Sequence, residues 1–579
     1  MSENRQHGFF ALRHYLVLAV LALLFVGLVG RAAWLQVVQQ DFLLDEGSQR
    51  QLRVLTTPAY RGSILDREGN PLAISTPVDS VWANPRQALL DRDGLRKTAR
   101  LLKLDYSELL KRLQQRARKE FVYIKRRVEP ELAKQAATAA EGVYLQREYD
   151  RFYPAGEVVA HVVGFTNIDG VGQEGLERVY QQQLKAVPGK RKVIRNRKGE
   201  VVENIAQLQA ARNGEDVITS IDMRLQYLTY RSLAATLRRF NARSGSAVLL
   251  DAHSGEVLAI ANLPSYNPNQ RRKSSAAARR NRAITDVFEP GSTMKPFTLA
   301  AAMDQGLFTA SSRIDTRPGY MRVTGYPIRD FRNYGVLDLA GILRKSSNVG
   351  AAKVAQSMPA EALWQAFRDY GFGEDTGVEF PAASSGYFSH YSNWRPLDQA
   401  TMAFGYGLSV SVLQLARAYS IFANDGKLVD LTLLRREPGT PVPARQVMKP
   451  ETARQIRTML EQVVGPEGTA RKAAISGYRV AGKTGTVKKT APGGGYLDDR
   501  YLSVFAGIAP ASDPRLVMAV MIDDPDKDKG YYGGAVAAPV FREVMTQALR
   551  LLNVSPDAVE AGGQLALGPL QSEYPGGRQ

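Results

Sequence analysis

Ser292 and Lys295, in the stretch Glu289-Pro290-Gly291-Ser292-Thr293-Met294-Lys295-Pro296, have the residue types and spacing for acyl-transfer chemistry. A serine hydroxyl is a weak nucleophile until a base takes its proton, and a desolvated lysine of lowered pKa can be that base without histidine. Positions three apart share a helical face, so the Lys295 amine is expected to reach the Ser292 hydroxyl. Read alone, Ser292 also fits a simple helix N-cap. A second group is Ser346-Ser347-Asn348. Here Ser346 would relay a proton between Lys295 and a leaving group and the Asn348 carboxamide would hold a substrate amide, unless the triplet is an ordinary polar turn. A third is Lys483-Thr484-Gly485-Thr486, read as an edge strand with glycine where a substrate backbone must come close. Lys483 offers a point charge for a substrate carboxylate, and Thr484 and Thr486 offer hydroxyls. The Thr486 N–H, with that of Ser292, would bind a developing oxyanion.

These groups need elements to hold them. The apolar run Phe297 to Met303, ended by Gly306, predicts a helix opened by Ser292, with Pro296 tolerated in its first turn. Val217 to Ile221 reads as a strand and Met223 to Arg239 as an amphipathic helix. Ala247 to Ala261 reads as a hairpin around His253-Ser254-Gly255, and more strands are expected far downstream at Tyr501 to Ile508 and Leu516 to Ile522. Strands, then many helices, then strands imply an α+β domain: an antiparallel sheet assembled from both ends, with a helical lobe inserted. Upstream, residues 40 to 215 mix short strands with charged helices, and two basic runs, Arg116 to Arg127 and Lys190 to Lys198, read as solvated faces. The expected division is a cytoplasmic N-terminus (1–14), a transmembrane anchor (15–38), a smaller α+β domain (39–215), the sheet-and-helix domain (216–554) and a flexible tail (555–579) rich in Gly, Pro, Gln and Ala.

Tyr15 to Gly30 is an uncharged apolar run that Trp34, Leu35 and Val37 prolong, long enough with a snorkelling Arg31 to span a bilayer. Arg5 and Arg13 on its short side place that end in the cytoplasm, which sends the rest of the chain outside; a cleavable signal peptide or a buried core helix are the competing readings. The chain has no cysteine, which removes disulfides, thiolate nucleophiles and Cys-ligated metals. Its five histidines are scattered and make no H-E-x-x-H, so no metal is expected. Lys and Arg number 76 against 57 Asp and Glu, a net charge of +19 that favours anionic partners, yet no zinc-finger spacing or RNA-recognition signature points to nucleic acid.

The order S-x-x-K, S-x-N, K-T-G within one domain is far more specific than any member. On these motifs the chain resembles the penicillin-binding proteins and serine β-lactamases, most closely the class B penicillin-binding proteins, the monofunctional cell-wall transpeptidases. Arg61-Gly62-Ser63-Ile64-Leu65-Asp66-Arg67 and Arg151-Phe152-Tyr153-Pro154-Ala155-Gly156 resemble the non-catalytic pedestal domain of that class, and Phe404-Gly405-Tyr406-Gly407 and Gly533-Gly534 to Pro539 resemble further transpeptidase segments. The Ser-Ser-Asn triplet and Tyr153 to Gly156 look like the division-specific, septal branch rather than the elongation branch. Ser347 departs from the β-lactamase pattern, which carries Asp there.

The resemblance implies a D,D-transpeptidase in which Ser292 attacks the bond between the two terminal D-alanines of a pentapeptide stem and passes the acyl group to an amine of a neighbouring stem. It implies covalent acylation by β-lactams and no cofactor. It further implies an inner-membrane protein with its catalytic domain in the periplasm, working with a polytopic glycan polymerase and other division proteins. The alternatives are a D-alanyl-D-alanine carboxypeptidase, a β-lactamase, an elongation-specific transpeptidase of the same fold, and a non-enzymatic sensor or scaffold. No E-x-x-L-N segment follows Asn348 to position a deacylating water, and no E-D-x-x-F segment in residues 40 to 215 suggests a glycosyltransferase.

Overall fold

A computed structural model describes residues 3–41, 52–195, 201–491 and 493–558. They fall into two compact units, one from residues 1–60 and 186–214, the other from 61–185 and 215–579. The first holds a helix, Glu3–Ala33, that runs on into a π turn, Trp34–Val38. Its Arg13–Val38 stretch, 26 residues, is long and apolar enough to cross a membrane, and none of it is buried against protein. The same unit contains an antiparallel sheet of Leu52–Thr57, Gly189–Arg195 and Val201–Gln209 in that spatial order.

In the second unit the expected sheet is present and fully antiparallel. Its order is Val257–Leu263, Ser244–Asp251, Leu516–Asp523, Tyr496–Ala509, Ala481–Thr490, so the K-T-G strand lies at an edge and the hairpin at Ala247 to Ala261 forms as read. Helices Met223–Arg239 and Gly533–Leu551 pack on the sheet, as does Val412–Ala423, all twelve of whose residues are buried. Its buried polar members are satisfied by backbone carbonyls, Gln414 by those of Glu374 and Ser385 and Arg417 by that of Val429. Of the expected strand Val217 to Ile221, only Val217–Ile218 forms, pairing in parallel with Ile64–Leu65.

That pairing carries the core across the expected border at 215/216. One apolar cluster runs from Ile64, Leu72 and Val163 to Leu225, Val248 and Phe541, because strands from both stretches share a sheet. A separate core, with Val81, Leu95, Leu113 and Ile124, supports the outer part of the 61–185 stretch. Of the basic run from Arg116 to Arg127, Arg126 pairs with Glu148 at 3.1 Å and Asp169 at 3.0 Å, and Arg127 pairs with Asp150. In the tail, Asp557 accepts the Arg479 N–H at 2.7 Å and the Ala558 N–H reaches the Gly477 carbonyl at 3.1 Å; residues 559–579 lie outside those described.

Candidate active site

Gly291–Met294 is a 3-10 turn that leads into the helix Lys295–Asp304, of which residues 295–303 are all buried. The Lys295 N–H closes the turn on the Ser292 carbonyl, and Pro296 occupies the first turn, where its missing N–H is not needed. Neither turn nor helix uses the Ser292 hydroxyl as a cap. The helix is sunk into the lobe by Phe297, whose ring meets those of Tyr370, Phe372, Tyr419 and Phe422 at centroid distances of 5.8, 5.1, 5.5 and 4.8 Å. The turn itself is fixed by three bonds: Thr293 Oγ1 to the Pro290 carbonyl (2.8 Å), Tyr419 OH to the Thr293 carbonyl (2.9 Å) and the Gly291 N–H to the Gly405 carbonyl (3.1 Å). Gly405 must be glycine, since a Cβ there would sit 2.2 Å from the Gly291 oxygen.

Ser346 ends the helix Leu339–Lys345 at φ +59°, in the left-handed region, and Asn348–Gln356 begins two residues later. A non-glycine residue there is strained, and such strain clusters at functional sites. The kink turns Ser346 and Asn348 onto Lys295. Its ammonium donates to the Ser346 carbonyl at 2.6 Å, to Ser346 Oγ at 3.2 Å and to Asn348 Oδ1 at 2.8 Å. Lys483 donates to the same Ser346 Oγ at 3.0 Å and to the Thr484 carbonyl at 3.1 Å. One hydroxyl thus joins two ammonium groups that are both fully buried.

The K-T-G strand lies against the turn of Ser292. A Cβ on Gly485 would meet the Pro290 oxygen at 2.8 Å, so only glycine lets strand and turn approach this closely. Thr486 Oγ1 accepts the Gly533 N–H at 3.0 Å, leaving its own O–H free to donate, while Thr484 Oγ1 shares a bond with Thr469 Oγ1 at 3.0 Å. The three motifs therefore meet, as does each further segment singled out in the sequence: 404–407 on Gly291 and 533–539 on Gly485 and Thr486.

Two details differ from the expected geometry. Among the described residues no hydrogen bond joins Lys295 to the Ser292 hydroxyl: the ammonium is turned to Ser346 and Asn348, which offer three acceptors. The Asn348 carboxamide is likewise engaged, with Nδ2 donating to the Arg329 carbonyl at 3.1 Å.

Burial pushes both amines down. Lys483 falls to about 7, and Lys295 falls well below the usual lysine value, with the neighbouring Lys483 charge adding to its desolvation. Asp330 opposes the shift at Lys295. Sequence reasoning missed this carboxylate. It accepts from Ser347 Oγ at 2.6 Å and from the Asn348 and Val349 N–H groups at 2.6 and 3.0 Å, capping the helix that starts at the S-x-N motif. Near the site, a negative charge thus comes from position 330, while Ser347 supplies the hydroxyl that holds it. The arrangement can take a proton from a hydroxyl, hold an ester and return a proton through Ser346.

In the 61–185 stretch, the two segments quoted from the pedestal meet on one buried carboxylate. Glu177, 0% exposed, accepts from Arg61 Nε at 2.6 Å and from Arg151 Nε at 2.5 Å. Arg61 Nη2 adds a bond to the Glu177 carbonyl at 2.8 Å.

Residues 245–546 match the penicillin-binding protein transpeptidase domain and residues 56–219 the penicillin-binding protein dimerisation domain. The chain is 44% identical over 561 residues to the probable peptidoglycan D,D-transpeptidase PbpC of Pseudomonas aeruginosa, covering 96% of this chain and 98% of that one. It is 42% identical over 585 residues to the peptidoglycan D,D-transpeptidase FtsI of Escherichia coli K12, covering 100% and 98%. The crystal structure of penicillin-binding protein 3 from Mycobacterium tuberculosis in complex with aztreonam superposes with a TM-score of 0.68 at 28% identity, over 87% of this chain and 98% of that one. With both domains matched in order and relatives aligned along nearly its whole length, the chain belongs to the penicillin-binding protein transpeptidase family, as a class B member.

Proposed function

We propose that this protein cross-links peptidoglycan by D,D-transpeptidation at the division septum, through an acyl-enzyme on Ser292. The single observation that carries the assignment of roles is the Ser346 hydroxyl held by both Lys295 and Lys483 beside the Ser292 turn. Neutral Lys295 takes the Ser292 proton as Oγ attacks the carbonyl between the two terminal D-alanines of a donor stem. The Ser292 and Thr486 N–H groups receive the oxyanion. As the C–N bond breaks, the proton returns through Ser346 to the departing D-alanine amine. An amine of a second stem then attacks the ester, and Ser292 recovers its proton. Lys483 and the hydroxyls of Thr484 and Thr486 hold the donor's terminal carboxylate, Gly485 admits its backbone, and Asn348 turns its carboxamide to the stem amide once substrate displaces it from Lys295. β-Lactams acylate the same serine.

The Arg13–Val38 helix anchors the chain in the cytoplasmic membrane, and Arg5 and Arg13 keep its N-terminal side in the cytoplasm. Residues 39–215 then form a periplasmic pedestal for the transpeptidase domain 216–554. Glycan polymerisation falls to a polytopic partner that meets anchor and pedestal, together with other division proteins.

The test is the donor reaction. Glycan strands bearing pentapeptide stems, incubated with the full-length protein, release D-alanine and gain cross-links, and Ser292→Ala abolishes both. Release of D-alanine without any cross-link would make the enzyme a carboxypeptidase.

A further inference from the structure

Glu289 lies three residues before Ser292 and is half-buried, and among the described residues its hydrogen-bond partners are Gly407 and Tyr496, with no lysine, arginine or histidine in an ion pair with it. Its carboxylate accepts the Gly407 N–H at 2.8 Å and the Tyr496 hydroxyl at 3.0 Å. The Tyr406 and Tyr496 rings meet edge to face at a centroid distance of 5.7 Å. A carboxylate withdrawn from water without a counter-ion is costly, and in a chain of net charge +19 its lack of a cation is unusual. Carboxylate and aromatic faces together are the elements of a cation site.

The position suits the reaction. Gly405 receives the Gly291 N–H, and Gly407 gives its own to Glu289. Two residues of chain span at most ~7 Å, so the carboxylate sits within one short loop of the nucleophile's turn. Tyr496 pairs in the sheet with Thr490, at the far end of the strand that carries Lys483-Thr484-Gly485-Thr486. Glu289 also borders a cavity of about 550 Å³ lined by five basic residues, among them Lys488 and Lys489 of the same strand, and by two further carboxylates, Asp286 and Asp523, which are already paired with Arg280 and Lys489. The buried lysines form the positive side of the site, where a donor carboxylate belongs, while Glu289, bonded to Gly407 and Tyr496, puts a carboxylate without an ion-pair partner on the other side of the nucleophile's turn.

We infer that Glu289, flanked by Tyr406 and Tyr496, binds the ammonium of the acyl acceptor and so selects amines over water at the acyl-enzyme. This rests on the transpeptidase reading and gives the acceptor, a cationic primary amine, its place. The bound ammonium loses one proton to solvent, its nitrogen forms the new C–N bond, the ester C–O bond breaks, and Ser292 Oγ regains a proton.

The test uses the full-length protein with an N-acyl-D-alanyl thioester as donor and either D-alanine or D-lactate as acceptor; the two acceptors differ in ammonium against hydroxyl. Thiol release by the unaltered protein reports acylation, and its absence would remove the underlying reading and this inference with it. With acylation present, Glu289→Gln lowers the ratio of aminolysis to hydrolysis for D-alanine by ~10-fold or more, the scale of a lost charge-assisted bond, and changes the D-lactate ratio by less than ~2-fold. Tyr496→Phe acts in the same direction with a smaller effect. In the unaltered protein, tetramethylammonium raises the apparent KM for D-alanine at constant ionic strength while acylation continues, an outcome that does not depend on how any variant folds. An unchanged D-alanine ratio in Glu289→Gln, an equal loss with both acceptors, or no effect of tetramethylammonium overturns the inference.

Discussion

Two buried charge clusters in the unit formed by 61–185 and 215–558 follow opposite plans. Around Glu177, a carboxylate faces two guanidinium groups, those of Arg61 and Arg151. Around Ser346, two lysine ammoniums share one hydroxyl, and the nearest contributing carboxylate, Asp330, bonds Ser347 and the Asn348 and Val349 N–H groups instead. The first cluster pairs opposite charges, and the second gathers like charges around one hydroxyl, with both lysines lowered by burial. A structural joint needs charge that never changes, whereas an acyl-transfer site needs charge that changes within one turnover.

The largest test of this contrast is Lys295→Ala, which removes the proposed base. Penicillin acylation, followed by stopped-flow, should fall by ~10²–10⁴-fold, and a loss below tenfold would move the base elsewhere. Next is Glu177→Ala, which strands two buried guanidinium groups and should cost ~3–5 kcal/mol in urea unfolding, with little dependence on pH between 6 and 9. A cost under 1 kcal/mol would show that the joint is dispensable. Lys483 sharpens the comparison through pH. Its folded value of about 7 lies below the ~10.4 of an unfolded lysine, so between these values the unfolded chain holds the extra proton and stability rises with pH. The penalty of burying Lys483 is therefore full below about 7 and relieved above it. Lys483→Met should stabilise the protein at pH 6 and lose that advantage by pH 10 in thermal melts; a pH-independent difference would contradict the shift. The smallest effect is Asp330→Asn. It weakens a helix cap by ~1–2 kcal/mol and, by removing the charge that supports the Lys295 ammonium, moves the acidic limb of the acylation profile to lower pH. A limb displaced upward would reverse the assigned role.

The contrast also explains what the sequence revealed. Ser292, Lys295, Ser346, Asn348 and Lys483 to Thr486 could be proposed from the sequence because each motif is local, and the sheet was legible because four of its five strands contain apolar runs, the fifth being marked by the K-T-G glycine instead. Asp330 was not, since it stands 16 residues before Ser346 in Ile328-Arg329-Asp330-Phe331-Arg332 and acts through tertiary capping, which leaves no periodic signal. Glu177 escaped for the same reason, although Arg61 and Arg151 had been singled out with their segments: pairing across 116 and 26 residues has no spacing rule. Nor was the direction of the Lys295 ammonium legible, because it is decided by the left-handed backbone of Ser346 rather than by the three-residue offset from Ser292.

The central claim, that three distant motifs converge to activate one hydroxyl, is tested most directly by mapping the adduct formed with benzylpenicillin. Mass spectrometry of the digested protein should find one equivalent of opened β-lactam on the peptide containing Ser292 and none in Ser292→Ala. An adduct on another residue, or none on a folded protein, would contradict the account.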